Sequence, residues 1–272
     1  MGAPLVLRDV EYARIGSTSL CLDLYKPEGP AGLLPSLVWM HGGGWKIGDK
    51  ADDSASLTPI VALGYAVASV NYRLLGDAPW PAQLHDVKAA IRWVRANAEM
   101  HGLDPDRIAA GGASAGGHLA SMAGLTAGDR GLDGEVGPYT GVSSEVRAVA
   151  AMFAPTDLLM MGAPSELERQ ILPRSRGAEL LGIEHVDDDP AAARAASPRH
   201  VVHAGAPPHL LLHGDRDAVI PIDQSRLLHD TLSAAGVTSV LMVFAGVGHA
   251  ADVFTGPTAV GAVVGFLADQ MS

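Results

Sequence analysis

Four short runs carry residues able to do nucleophilic chemistry. They are His41-Gly42-Gly43-Gly44-Trp45, Gly111-Gly112-Ala113-Ser114-Ala115-Gly116-Gly117, His213-Gly214-Asp215-Arg216-Asp217 and Ala245-Gly246-Val247-Gly248-His249. A serine hydroxyl is a poor nucleophile at neutral pH and needs a base to take its proton. That base in turn needs a carboxylate to fix its tautomer and stabilise the imidazolium. Ser114 stands in the pattern Gly-x-Ser-x-Gly, which occurs nowhere else in the chain. The apolar run before it and the Leu119–Ala123 stretch after it read as strand, sharp turn and helix. A serine at such an apex takes a strained backbone and exposes its hydroxyl above the sheet edge.

In sheets of this kind the acid and the base follow the serine in that order. After Ser114, the loop with carboxylates at the tip of an apolar strand is 213–217. Asp215 stands close to the strand end, where a carboxylate can hold the turn by bonding nearby amides. Asp217 lies further out and is better placed to reach a histidine on the next loop. Among 11 histidines, His249 is the one after the candidate acids that sits on a strand-end loop, whereas His229 falls inside a helical pattern. An oxyanion formed at Ser114 needs preoriented donors. The amide of Ala115, at the start of a helix, supplies one, and those of Gly43 and Gly44 supply the others. A triple glycine is often only a flexible loop, but this one follows a buried strand directly.

The elements that must position these groups can be read in order. Val6–Tyr12 and Ser19–Tyr25 alternate as half-exposed antiparallel strands. Leu37–Met40, Tyr65–Val70, Arg107–Ala110, Val146–Phe153, Leu210–Leu212 and Val240–Phe244 read as further strands. Amphipathic or capped helices are expected over 54–63, 82–98 and 223–235, and around Val260–Leu267. Apolar strands alternating with such helices mean an α/β fold with a mostly parallel sheet covered on both faces. Residues 1–272 read as a single domain, with a small lid-like insertion over about 155–205. Trp45, Trp80, Met160 and Met161 are candidates for a pocket wall or for core. Asn71, Tyr72 and Arg73 read as ties between neighbouring loops, Asp86 as an ion-pair partner and His41 as a support for the glycine loop.

Composition narrows the function. The chain is 48% hydrophobic and 18% charged, ordinary for a globular protein of 272 residues. A net charge of −11 with no basic cluster argues against nucleic acid or an anionic membrane as partner. The single cysteine, Cys21, rules out an internal disulfide. No apolar stretch approaches the ~18 residues of a membrane span, and no signal-like segment opens the chain, so it reads as soluble and cytoplasmic. No histidine pair or Cys/His cluster suggests a metal, and no phosphate or dinucleotide loop suggests a cofactor. Nothing in the sequence speaks to oligomeric state.

Taken together, His41–Trp45, Asn71-Tyr72-Arg73-Leu74, Gly112–His118, His213-Gly214-x-x-Asp217 with Pro221, and Gly248-His249 resemble the α/β-hydrolase superfamily. Within it they look most like the hormone-sensitive-lipase-like and BD-FAE-like (feruloyl-esterase-type) carboxylesterases. The resemblance implies an eight-stranded, mostly parallel sheet and a serine hydrolase that acts on small carboxylic esters without a cofactor. By position it makes Ser114 the nucleophile, Asp217 the acid and His249 the base, with Gly43, Gly44 and Ala115 as the oxyanion hole. Aryl formamidases share a similar glycine loop and triad, and the fold also serves some non-catalytic small-molecule receptors. The lipase-like branch usually carries a large N-terminal helical cap; here the roughly 36 residues before the first core strand read as strand and turn, so a large cap is not expected.

Overall fold

The computed structural model describes residues 4–29, 32–161 and 174–272. Eight strands build one sheet: β1 (Leu5–Ile15), β2 (Thr18–Lys26), β3 (Leu34–Met40), β4 (Ala66–Val70), β5 (Leu103–Ala113), β6 (Val149–Met152), β7 (His209–Gly214) and β8 (Ser239–Phe244). Their spatial order is β1-β2-β4-β3-β5-β6-β7-β8. β1 and β2 run antiparallel to each other, and β2 runs antiparallel to β4. The remaining pairs, from β4 through β3 and β5 to β8, are all parallel.

β3 shows why the inner strands read as unbroken apolar runs. Its Leu37 and Trp39 enter one apolar cluster and its Val38 and Met40 the other, because successive side chains leave opposite faces of a strand. Helices α1 (Ser54–Ala62) and α7 (Pro257–Gln270) cover the Leu37 face through Leu57, Ile60, Val260 and Val263. Helices α2 (Ala82–Ala96), α3 (Ala115–Leu125) and α6 (Asp223–Ala234) cover the other through Leu84, Val87, Leu119 and Leu228. A sheet sandwiched in this way leaves its strand ends as the place where polar groups can gather.

The expected strands all form, with shifted bounds. β5 is longer than the apolar run Arg107–Ala110, since pairing of Leu34 with Leu103 extends it toward its start. β6 begins at Val149, three residues later than expected, where its register with β5 and β7 begins. Between β6 and β7, part of the expected lid-like insertion (162–173) lies outside the described residues. Its described part contains α4 (Arg176–Leu181), α5 (Pro190–Ala195) and two 3-10 turns. Leu158, Leu180, Val186, Ala193 and Ala196 are buried in the same cluster as α2 and α3, so this segment packs into the main core. Among the described residues, no helix is long and apolar enough to cross a membrane.

Candidate active site

The turn between β5 and α3 is built by exclusion of side chains. A Cβ on Gly112 would sit 2.5 Å from the carbonyl carbon of Gly116, and one on Gly116 would overlap the Met40 carbonyl oxygen of β3. With small residues on both sides the chain can reverse tightly, and Ser114 is held at φ 54°, ψ −119°. The Ser114 amide donates to the Met152 carbonyl at 2.8 Å, tying the elbow to the end of β6. Its carbonyl accepts the His118 amide at 3.0 Å, which starts α3. Ser114 thus carries its hydroxyl free of the helix it caps.

Two loops at the ends of β7 and β8 supply the partners. The Asp215 amide donates to the Phe244 carbonyl at 3.1 Å and the Arg216 amide to the Val247 carbonyl at 2.9 Å, so the loops run side by side past the strand ends. His249 lies with Nε2 3.1 Å from Ser114 Oγ and Nδ1 2.7 Å from Asp217 Oδ2. A carboxylate only accepts, so Nδ1–H donates to Asp217 and the lone pair of Nε2 is left to accept from the Ser114 hydroxyl. The Phe153 ring packs steeply inclined against the imidazole, with ring centroids 4.7 Å apart. The Asp217 side chain is fully buried, and its Oδ1 accepts the amides of Val219 and Ile220 at 2.8 Å each. Asp215 does the other job open to it, accepting the Gly246 amide at 2.6 Å and bracing the histidine loop.

The glycine loop after β3 forms the facing wall. Gly43 adopts φ +106°, and any Cβ there would collide with the Ile47 carbonyl. Its carbonyl instead accepts the amides of Lys46 and Ile47 at 3.1 and 3.2 Å, curling the loop over the serine. Gly43, Gly44, Ser114, Ala115 and His249 line one cavity of about 670 Å³. Ala115 opens α3, where the first amides have no carbonyl within the helix to pair with and the helix dipole favours negative charge. His41 donates from Nδ1 to the Gly42 carbonyl at 2.7 Å, and stacks on Tyr72, whose hydroxyl donates to the His41 carbonyl at 2.8 Å. Asn71 bridges Asp49 and the Lys50 amide, and Arg73 clamps Asp86 through two bonds of 2.7 and 2.8 Å.

The pocket candidates divide. Trp45 and Met161 line the cavity, though Trp45 is also a buried core residue set edge-on to His118. Met160 differs from the expectation. It is 60% exposed and outside the cavity wall, because the turn after β6 points it away while Leu158 turns into the core. Trp80 packs against His118 on the covered face of the sheet. Among the described residues, no cluster of side chains suited to a metal occurs.

Sequence reasoning missed His213. It is fully buried at the end of β7, with Nε2 donating to the Ile220 carbonyl at 2.9 Å and lying 3.4 Å from Asp217 Oδ2. Its Nδ1 accepts the Ser225 hydroxyl at 2.7 Å. Burial lowers its pKa, so a neutral imidazole stands behind the acid. The signal was present, since His213 opens the acid loop, but nothing local says which way its ring turns.

Two other buried histidines bear on stability. His118 donates from Nε2 to the Ala196 carbonyl at 2.8 Å and His209 from Nδ1 to the Pro207 carbonyl at 2.7 Å. The other nitrogen of each is buried without a partner among the described residues. Burial pushes both down to about 4, from an ordinary value of 6.5. Between pH 6.5 and 4 the unfolded chain therefore binds protons that the native chain refuses. Stability rises with pH across that window and is lost on acidification, by roughly 3 kcal/mol per histidine at full extent. The unfolding midpoint, followed by calorimetry at constant ionic strength, should be level from pH 8 to 7 and fall steadily from pH 6.5 to 4.5. A flat profile across the lower range would contradict this account.

Strand order, the strained serine at the β5–α3 turn and the loops gathered at the parallel strand ends define an α/β-hydrolase. The comparisons agree and narrow this. The chain belongs to the BD-FAE family, whose model matches residues 22–232. It is 35% identical to esterase LipC of Mycobacterium tuberculosis, over 88% of this chain and 59% of that protein. It spans between half and three-fifths of the length of the first curated relatives it matches. Among solved structures, a truncated carbohydrate esterase from gut microbiota superposes with a TM-score of 0.90 at 31% identity, over 99% of this chain and 97% of the other. The Est2 esterase of Thermogutta terrifontis with bound propionate gives 0.78 at 28% identity, over 98% and 94%.

Proposed function

We propose that the chain is a serine carboxylesterase that hydrolyses small carboxylic esters, with short-chain acyl or aryl acid parts, through an acyl-enzyme. The observation that carries this reading is the line from Ser114 through His249 to buried Asp217, at 3.1 and 2.7 Å. Ser114 Oγ attacks the ester carbonyl carbon while its proton passes to His249 Nε2. The carbonyl electron pair moves onto oxygen, where the amides of Gly43, Gly44 and Ala115 receive it. The adduct collapses, the bond to the alcohol oxygen breaks, and Nε2 returns the proton to the leaving alcohol. Water then repeats the sequence on the acyl-enzyme, with His249 again as base, and frees the acid. The cavity of about 670 Å³ is in the range of small-molecule sites and has room for both halves of a small ester.

The esterase names of the relatives and structural neighbours support the same chemistry, and propionate in one neighbour is consistent with a small acyl group. The test is a side-by-side assay of one preparation on a nitrophenyl ester series of rising chain length and on an aryl formamide, with titration by a serine-reactive phosphonate. Ester turnover well above formamide turnover, and one phosphonate bound per chain at Ser114, are expected. Faster formamide hydrolysis would move the reading to an amide-type hydrolase. Failure of Ser114 to label, with no turnover of either substrate, would leave a small-molecule receptor.

A further inference from the structure

On its α1–α7 side the cavity wall is apolar, made by Trp39, Leu57, Ile60, Phe254, Val260 and Val263. One carboxylate, Asp53, is set into that wall. It stands at the N-cap of α1, where aspartate ordinarily accepts an amide of the first turn, worth about 1 kcal/mol. Here the side chain makes no such bond. Instead Trp39, itself 4% exposed, donates its Nε1–H to Asp53 Oδ2 at 2.7 Å. Among the described residues, none donates to the second oxygen, Oδ1. The neighbouring carboxylates behave differently: Asp49 accepts from Asn71 and the Ala51 amide, Asp52 from the Asp49 amide, and neither lines the cavity.

Asp53 is half-buried, so a substrate that covers its second oxygen beside these apolar walls must supply a donor or leave a charged acceptor unmet, which is costly. Ser56, one helical turn beyond Asp53, also lines the cavity and can donate to or accept from the same group. Arg176 on the same cavity is already paired with Glu179, and the apolar wall around Asp53 makes burying a charged ligand costly, which favours a neutral donor. We propose that Asp53, anchored by Trp39, is a specificity-determining residue that accepts a hydrogen bond from a hydroxyl on the ester substrate, so that hydroxylated esters are preferred over plain alkyl ones. This rests on the esterase reading above. The hydroxyl can be carried by the acid or by the alcohol.

Two matched pairs separate those sources: nitrophenyl esters of heptanoic acid and of its ω-hydroxy analogue, whose chain does not close readily to a lactone, and acetates of hexanol and of hexanediol. In the wild type, kcat/KM should favour the hydroxylated member of one pair by ~10-fold or more, the scale of a hydrogen bond to a charged acceptor. Asp53→Leu should bring that ratio close to one, read as kcat/KM of both members of the pair measured on the same variant. Asp53→Asn, which keeps a neutral acceptor and the shape of the loop, should lower the ratio several-fold and holds the test open if the leucine variant does not fold. Wild-type ratios near one in both pairs, or a ratio unchanged by either substitution, would overturn the proposal and leave the esterase reading standing. No turnover of any of the four esters by the wild type would reject that reading, and this one with it.

Discussion

Ser114→Ala is expected to lower kcat/KM toward a nitrophenyl ester by ~10⁴–10⁶-fold, with the far-ultraviolet spectrum and cavity unchanged. The size follows from the mechanism: without Oγ there is no acyl-enzyme, and His249 and Asp217 have nothing to activate. The residual rate comes from the oxyanion donors and substrate positioning alone. A second substitution at the same place separates chemistry from strain. At φ 54°, ψ −119° a residue with a Cβ is disfavoured and glycine is not. Such a conformation costs of order 1–3 kcal/mol, offset in a glycine variant by its greater freedom when unfolded. Ser114→Gly should therefore be as inactive as Ser114→Ala, yet more stable by about 1 kcal/mol, read as a higher unfolding midpoint. If the two variants melt alike, the elbow holds no strain. If Ser114→Ala keeps full activity, Ser114 is not the nucleophile.

The strained serine was legible because it is a local matter. Small residues two before and two after it, at Gly112 and Gly116, are required by backbone contacts within a few residues and with β3. The strands were legible for a similar reason, since burial on both faces leaves an unbroken apolar run such as Leu37–Met40. Their bounds were not, because Leu103 and Val149 join strands through partners elsewhere in the chain. The cavity wall was least legible. Met160 and Met161 are adjacent and chemically alike, and which one faces inward depends on the turn that carries them. Asp53 carries no signal in the sequence beyond preceding the helix from Ser54, and only the folded chain brings the Trp39 indole of β3 onto its carboxylate at the cavity wall. His213 likewise shows its position behind Asp217 only when β7 and the acid loop are folded together.

The two carboxylates of the acid loop, separated by one residue, give the sharpest test of how the site is built. Asp217→Asn is expected to cut kcat by ~10⁴-fold. An asparagine can still accept the Val219 and Ile220 amides through its carbonyl, so the loop should keep its shape. Its amide nitrogen then faces His249 Nδ1, and a donor there favours the imidazole tautomer with the proton on Nε2. That tautomer cannot accept from the Ser114 hydroxyl 3.1 Å away, and no carboxylate remains to stabilise an imidazolium. His213 cannot take over, because its Nε2 donates to Ile220 and burial keeps the ring neutral. Asp215→Asn should behave otherwise. Asp215 touches the Gly246 amide and not the histidine ring, and a neutral acceptor retains most of that bond, so activity should stay within ~10-fold of wild type. Measuring kcat for both variants against one ester checks the assignment. Equal losses would mean that the loop works as one brace, and a larger loss at Asp215 would exchange the two roles.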